Sequence, residues 1–221
     1  MGKSMRKVVA IYDPPYGVSI INTKKAKGSI GFGGKLGFVG ADGIVPVNAY
    51  APIAGDETTE TSRKVYELLK AKGLDKLIIF GGNYMTDFLP PSACWIVWDK
   101  REDIPSNNFA DCELAWTSFD EPSRIIRHLW SGLLRKGDRK TELLKRIHPT
   151  QKPVGMLMAI IQQFTKKEDI VLDPFGGSGS TLIACEKLGR RCFMMEISEN
   201  YTSVILKRWA NFTGKEPIKL N

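Results

Sequence analysis

An α/β fold, with a mostly parallel sheet covered by helices on both faces, is what the sequence predicts, and three observations carry the prediction. Short runs rich in β-branched and aromatic residues recur along the chain. Stretches with helical spacing of apolar residues separate them, and turn-forming Gly, Pro and Asp residues mark many of the joins. Alternation of this kind fits strands joined by helical crossovers.

The strand-like runs are Val8 to Tyr12, Leu77 to Phe80, Cys94 to Trp98, Cys112 to Ser118, Ile170 to Leu172 and Cys192 to Ile197. Helical spacing appears over Ser62 to Lys72, Val154 to Phe164, Ser180 to Leu188 and Asn200 to Asn211. Gly73 and Gly189 each follow lysines, as at helix ends where Gly takes a left-handed conformation and cations meet the negative pole. Pro153 suits a first helical turn, where a missing N–H costs nothing. Ser198, with Tyr201 after it, is the better candidate than Glu196 to cap the last helix. The segment 17–55 is crowded with Gly and shows no sustained period, which for so long a connection points to a functional or mobile loop. After Phe212, the residues GKEPIKL are expected to add an edge strand.

Length and composition set bounds on this reading. The 221 residues, 43% hydrophobic and 25% charged, suit a single domain spanning 1–221. No apolar run approaches membrane-spanning length, so no membrane association is expected. The N-terminus runs from a basic start directly into a strand, unlike a secretory signal. Cys94, Cys112, Cys185 and Cys192 show no paired spacing, which fits reduced thiols and a cytoplasmic location. With two histidines, His128 and His148, no structural metal is expected. A net charge of +8 favours an acidic partner such as nucleic acid.

Two constellations carry chemistry. Asp13-Pro14-Pro15-Tyr16-Gly17 follows a hydrophobic strand directly, so it should open into the crevice at the carboxyl ends of the strands. The prolines remove two donors and leave carbonyls free to accept. An amino group has two hydrogens to give, one to the Asp13 carboxylate and one to the Pro14 carbonyl, while Tyr16 can stack on a base. The plainer alternative is a strand-ending turn.

The second constellation, Val171 to Thr181, runs from a strand through Asp173-Pro174-Phe175-Gly176-Gly177-Ser178-Gly179 into a helix. Its glycines permit close approach to a nucleotide-like ligand, and the helix start offers N–H groups to a carboxylate. A dinucleotide fingerprint would need Gly where Leu182 stands, and the Lys of a P-loop is missing, so both lose support. Glu196, after Arg191 to Met195, lies where ribose hydroxyls are commonly held.

Asp-Pro-Pro-Tyr near the N-terminus, His148-Pro149-Thr150-Gln151-Lys152-Pro153, and the Asp173 to Thr181 loop near the C-terminus resemble, in this order, the beta-class DNA amino-methyltransferases. Phe80 to Tyr84, Cys94 to Lys100 and Phe109 to Trp116 are similar to the middle of compact phage and prophage members. The resemblance implies a circularly permuted Rossmann-like methyltransferase fold using S-adenosylmethionine. It assigns Asp13, Pro14, Pro15 and Tyr16 to the amino group and base. Phe175, Gly176, Gly177 and Gly179 fall to the cofactor loop, Glu196 to the ribose, and Thr150 and Lys152 to the methionine end. Asp173 meets the cofactor amine or braces the loop.

Double-stranded DNA would be the partner, with homodimers known among such relatives. Asp at the first motif position resembles adenine-N6 members more than cytosine-N4 members, where Ser is frequent. An RNA or protein-amide methyltransferase and a DNA-binding module without turnover are the other readings. No separate target-recognition domain is evident. The candidates for reading DNA are the 17–55 loop, with Lys24, Lys25, Lys27 and Lys35, and the segment 120–147, with Arg127, His128 and Arg135; either can equally be solvated surface.

Overall fold

In the computed structural model, residues 6–18, 37–40, 43–46, 55–108, 110–131, 134–136 and 151–220 are described. Thr150 and the four loop lysines lie outside them, as does His148. The principal strands are β1 (Val8–Tyr12), β4 (Lys76–Phe80), β5 (Trp95–Asp99), β6 (Cys112–Thr117), β7 (Arg124–Arg127), β10 (Ile170–Asp173) and β11 (Arg191–Met194). They form one seven-stranded sheet in the order β11-β10-β1-β4-β6-β5-β7. Every pairing is parallel except the two made by β6, which reverses between β4 and β5.

Central strands are apolar on both sides because both faces are covered: Val9 to Tyr12 and Leu77 to Phe80 are fully buried. One face packs against α2 (Val154–Phe164) and α3 (Ser180–Lys187), with Trp209 and Phe212 of α4 (Glu199–Thr213) at its margin. The other carries α1 (Glu60–Ala71) and the turn of 3-10 helix at Gly82–Tyr84, through Val65, Tyr66, Leu69, Met85 and Leu89. This second cover stops short of β11, where Phe193 is half exposed.

The expected elements are present with ends displaced by a few residues. Val8–Tyr12 and Val154–Phe164 have the expected bounds. The run expected to reach Ile197 ends at Met194, which puts Glu196 in the following turn. Ser198 caps α4, its hydroxyl accepting from Tyr201 N at 3.4 Å.

One expectation needs correction, and two segments read without a period contain short strands. The tail 214–220 forms no strand, and Ile218 and Leu220 stand exposed: Pro217 removes a ladder donor. Inside the aperiodic segment 17–55, β2 (Gly37–Gly40) pairs antiparallel with β3 (Gly43–Pro46), a hairpin too short for its period to be read. Within 120–147 lie the edge strand β7 and a small hairpin of β8 (Trp130–Ser131) and β9 (Leu134–Arg135). β7 buries Ile126 while Ile125 and Arg127 face out, so its two arginines disguise a strand as basic surface.

Candidate active site

The two constellations meet because β1 and β10 are neighbours, in parallel register from Val8↔Ile170 to Ala10↔Leu172. Chain from β10 crosses by α3 to β11 on one side, and chain from β1 crosses by α1 to β4 on the other. The helices cover opposite faces, so the crevice between the carboxyl ends of β1 and β10 stays open. A cavity of about 600 Å³ occupies it, lined by Asp13 to Tyr16, by Asp173 to Ser178 and by Met195 to Ser198. That volume falls within the range of small-molecule clefts.

The turn after β1 is held from several sides. Asp56 Oδ1 accepts from Tyr16 N at 3.2 Å, and Ser62 of α1 donates to the Pro15 carbonyl at 2.7 Å. Tyr16 donates its hydroxyl to Asp13 Oδ1, and its ring stacks on Tyr84 with centroids 5.4 Å apart. This requires glycine at 81: its φ is +69°, and a Cβ there would overlap the Tyr16 ring.

Lys152, which the resemblance assigns to the methionine end of the cofactor, lines the cleft close to Asp13. Its buried ammonium lies 2.6 Å from Asp13 Oδ2 and 3.2 Å from Glu113 Oε2, with Tyr16 Oη at 3.4 Å. It therefore belongs to the Asp13 side of the cavity, although it lines the same cleft. Burial would pull the Lys152 pKa down, but the two carboxylates outweigh it and hold the ammonium above its ordinary value. Burial pushes Asp13 up against the pull of Lys152, and Glu113 adds to the upward push.

On the other wall, Gly176 N donates to the Met195 carbonyl at 2.7 Å, and Met195 N to the Asp173 carbonyl at 2.9 Å. Glu196 closes the same corner, accepting from Gly177 N at 2.7 Å and Ser198 N at 2.8 Å. Gly179, at φ +78°, begins α3 and lets the turn pass close to Ile205. A Cβ at Gly176 would meet Met194 at 2.9 Å. Arg208, buried on α4, donates to the Ser178 carbonyl at 2.9 Å and to Ser180 Oγ at 3.1 Å, tying the loop to the last helix.

S-adenosylmethionine fits this donor set. Glu196 and Asp173 place acidic oxygens along a cleft suited to a cationic ligand with a diol, and Phe175, Met195 and Ile197 supply apolar surface. Tyr12 Oη also lacks a partner among the described residues, although Tyr12 is buried and lines the cavity.

Asp173 supports a pH prediction. Its Oδ1 accepts from Phe175 N at 3.0 Å, yet burial raises its pKa to about 7, with hydrogen bonds from Thr181 and Phe175 opposing. The folded state thus holds the proton more tightly than the unfolded chain. Stability from this group is complete below an unfolded pKa of about 4 and is lost as pH rises through about 7. Asp173→Asn should accordingly gain in melting temperature over the wild type as pH rises from 5 to 8, measured by circular dichroism. A constant difference would contradict the assignment.

Of the residues assigned to DNA contact, Arg127, His128 and Arg135 are described, and they lie in or beside β7 and the β8–β9 hairpin. Arg127 is exposed, 3.9 Å from Asp99. His128 packs against Gly155 at the start of α2, its Nε2 3.1 Å from the Lys136 carbonyl, an anchoring position for the β8–β9 hairpin. Arg135 lies over the Trp130 ring at 4.9 Å. Among the described residues no group of three or more His, Cys, Asp or Glu could hold a metal ion, and no helix is long and apolar enough to cross a membrane.

Reading motifs along the sequence missed Glu113, Lys100, Tyr84, Asp56, Ser62 and Arg208. Glu113, Tyr84 and Lys100 do lie in the segments similar to phage members, but no role attached to them there. Asp56, Ser62 and Arg208 carry no sequence signal that separates them from surface polar residues.

Comparison with known proteins agrees with this geometry. The solved structure of the M1.HpyAVI–SAM complex aligns with 92% of this chain and 89% of that one, at TM-score 0.50 and 22% identity, a likeness of fold. The Rossmann-like methyltransferase architecture, permuted so that the Asp-Pro-Pro-Tyr strand precedes the Gly-loop strand, is the fold of this protein. The Type II methyltransferase M2.LlaDCHI of Lactococcus lactis subsp. cremoris is 34% identical over 113 residues, 51% of this chain and 40% of that protein. M.HinfI of Haemophilus influenzae is 39% identical over 135 residues, 51% of this chain and 38% of that protein. The chain matches less than half the length of either relative. Residues 97–207, half of the chain, match the sequence model described as DNA methylase, and on that match this protein belongs to the N6/N4 DNA methylase family.

Proposed function

We propose that this protein transfers a methyl group from S-adenosylmethionine to the exocyclic amino group of a base flipped out of double-stranded DNA, with adenine N6 as the acceptor. The observation that carries the reading is the shared cavity: a turn built to accept amino hydrogens and a Gly-rich loop built to hold a nucleoside-like ligand open into it side by side. Adenine is favoured by the Asp at position 13.

Asp13 and the Pro14 carbonyl accept the two amino hydrogens, which draws the nitrogen lone pair out of conjugation with the ring. Lys152 and the Tyr16 hydroxyl each occupy one Asp13 oxygen, and a carboxylate oxygen can accept more than one hydrogen bond, so capacity for the substrate remains. The cofactor, when bound, supplies an activated methyl group. Positioning by these residues then provides most of the acceleration. Arg127 and Arg135, with the lysines of segment 17–55, form the proposed contact to phosphates; the net charge of +8 favours it. The cytoplasm and a homodimeric state complete the proposal.

Incubation of unmodified DNA with the protein and labelled cofactor, followed by mass analysis of nucleosides, tests it. N6-methyladenine is expected. N4-methylcytosine would overturn the choice of base. Label confined to RNA or protein would overturn the choice of polymer, and salt-sensitive DNA binding without transfer would favour a non-catalytic module. Glu196→Ala should weaken cofactor binding by on the order of 10- to 100-fold, read by calorimetry, since a hydrogen bond to a charged group is lost and the loop corner loosens.

A further inference from the structure

We infer that Glu113 is a positioning residue for methyl transfer: it tethers the Lys152 ammonium against Asp13 Oδ2, so that the carboxylate receiving the amino hydrogen keeps one direction. The inference rests on the functional reading above.

Topology brings Glu113 to the site. Because β6 runs antiparallel, its first residues lie at the carboxyl edge of the sheet, with Glu113 opposite Trp98 and two positions from Ala115, the partner of Phe80. A parallel strand in this place would send the same residues to the far edge. Lys100, just past the end of β5, reaches the other Glu113 oxygen at 3.1 Å, while Lys152 approaches from the segment before α2. The result is a chain of alternating charge, Lys100, Glu113, Lys152 and Asp13, ending on the residue that meets the substrate.

The geometry at Lys152 gives the tether its purpose. A lysine side chain is long and rotatable, and if Asp13 were its only anionic anchor the two would move together. Glu113 belongs to a strand hydrogen-bonded on both sides, so it supplies a reference point independent of the Asp13 turn. Tyr16 completes the enclosure, its hydroxyl donating to the second Asp13 oxygen and lying 3.4 Å from Lys152 Nζ. A charge-assisted contact at 2.6 Å then holds the carboxylate in one orientation.

The charged and titratable groups around Asp13 are Tyr16 from its own turn, Lys152 before α2, Glu113 from β6 and Asp173 at the end of β10. Burial raises the Asp13 pKa, Lys152 lowers it and Glu113 raises it. Removing the Glu113 charge while keeping its shape therefore lowers the Asp13 titration midpoint. A residue that merely stabilised the sheet would leave that midpoint unmoved.

The experiment uses the full chain with Glu113→Gln and Glu113→Leu. Single-turnover methyl transfer to DNA is followed across pH, cofactor affinity by calorimetry, and the Asp13 carboxyl by carbon NMR on aspartate-labelled protein, its signal assigned by its loss in Asp13→Asn. Glu113→Leu should transfer on the order of 10- to 100-fold more slowly, with cofactor affinity within about threefold of wild type. Glu113→Gln, still able to accept from Lys152, should retain more activity, with the acid limb of its rate profile and its Asp13 midpoint both at lower pH. An unchanged midpoint in Glu113→Gln overturns the inference, as does a wild-type rate in Glu113→Leu. A wild-type protein that methylates no DNA overturns the functional reading instead; the NMR midpoint needs no turnover and still decides whether Glu113 governs Asp13. Should Glu113→Leu fail to fold, Glu113→Gln decides alone.

Discussion

Replacing Asp13 by Ala is expected to slow methyl transfer by on the order of 10²- to 10⁴-fold while leaving cofactor affinity within about threefold of wild type. The asymmetry follows from where Asp13 sits. Its oxygens engage Tyr16 and Lys152, whereas the loop corner is held by contacts among Asp173, Gly176, Gly177, Met195 and Glu196. The cofactor wall should survive the change, and only the acceptor for the amino hydrogen is lost. Asp13→Asn should behave similarly: one carbonyl oxygen remains, but the new amide hydrogens must face either the Lys152 ammonium or the Tyr16 hydroxyl. Single-turnover transfer and calorimetric titration with cofactor separate the two effects. Retained turnover in Asp13→Ala would remove Asp13 from the mechanism.

Lys152→Met should have the largest effect on stability, a loss on the order of 3 kcal/mol at pH 8. Lys152 is buried, and removing it leaves Asp13 and Glu113 as facing carboxylates, with Lys100 still paired to Glu113. Such a pair relieves itself by taking up a proton, so the Asp13 pKa, already raised by burial, should rise further. A carboxyl with a raised folded-state pKa favours the folded protein at low pH and loses that advantage as pH increases through the raised value. The deficit of Lys152→Met against wild type should therefore be small near pH 5 and large at pH 8, measured by thermal or urea denaturation. Transfer should fall as well, with the opposite pH dependence, most at low pH, because protonated Asp13 accepts poorly. A deficit independent of pH would show that Lys152 acts through packing of its stem alone.

Much of the site could be read from the chain because its two centres are local in sequence. Asp13 to Tyr16 and Asp173 to Gly179 each combine a strand end with a turn, and a strand end in an α/β sheet has a known destination. The same locality explains why Val8–Tyr12 and Val154–Phe164 were legible to the residue. Where apolar signal was thin, legibility failed. β7 has only Ile125 and Ile126 between arginines, and the β2–β3 and β8–β9 hairpins are too short for a period of two to establish itself. GKEPIKL has the alternation of a strand but also the proline that opposes one.

By itself the sequence determined which residues can do chemistry: an Asp-Pro-Pro-Tyr turn, a Gly-rich loop, and an acid after the following strand. Their types and spacings impose backbone conformations and hydrogen-bonding capacities whatever surrounds them. The tertiary structure alone decided which distant side chains complete the centre. Lys152 stands 139 positions from Asp13 along the chain yet donates to it, and Glu113 reaches Lys152 through a strand whose antiparallel direction no local pattern reveals. Strand order and direction arise from how whole elements bury their apolar faces against one another. The partners of a buried charge are settled at that level, because only the packed sheet brings their oxygens and nitrogens within hydrogen-bonding range.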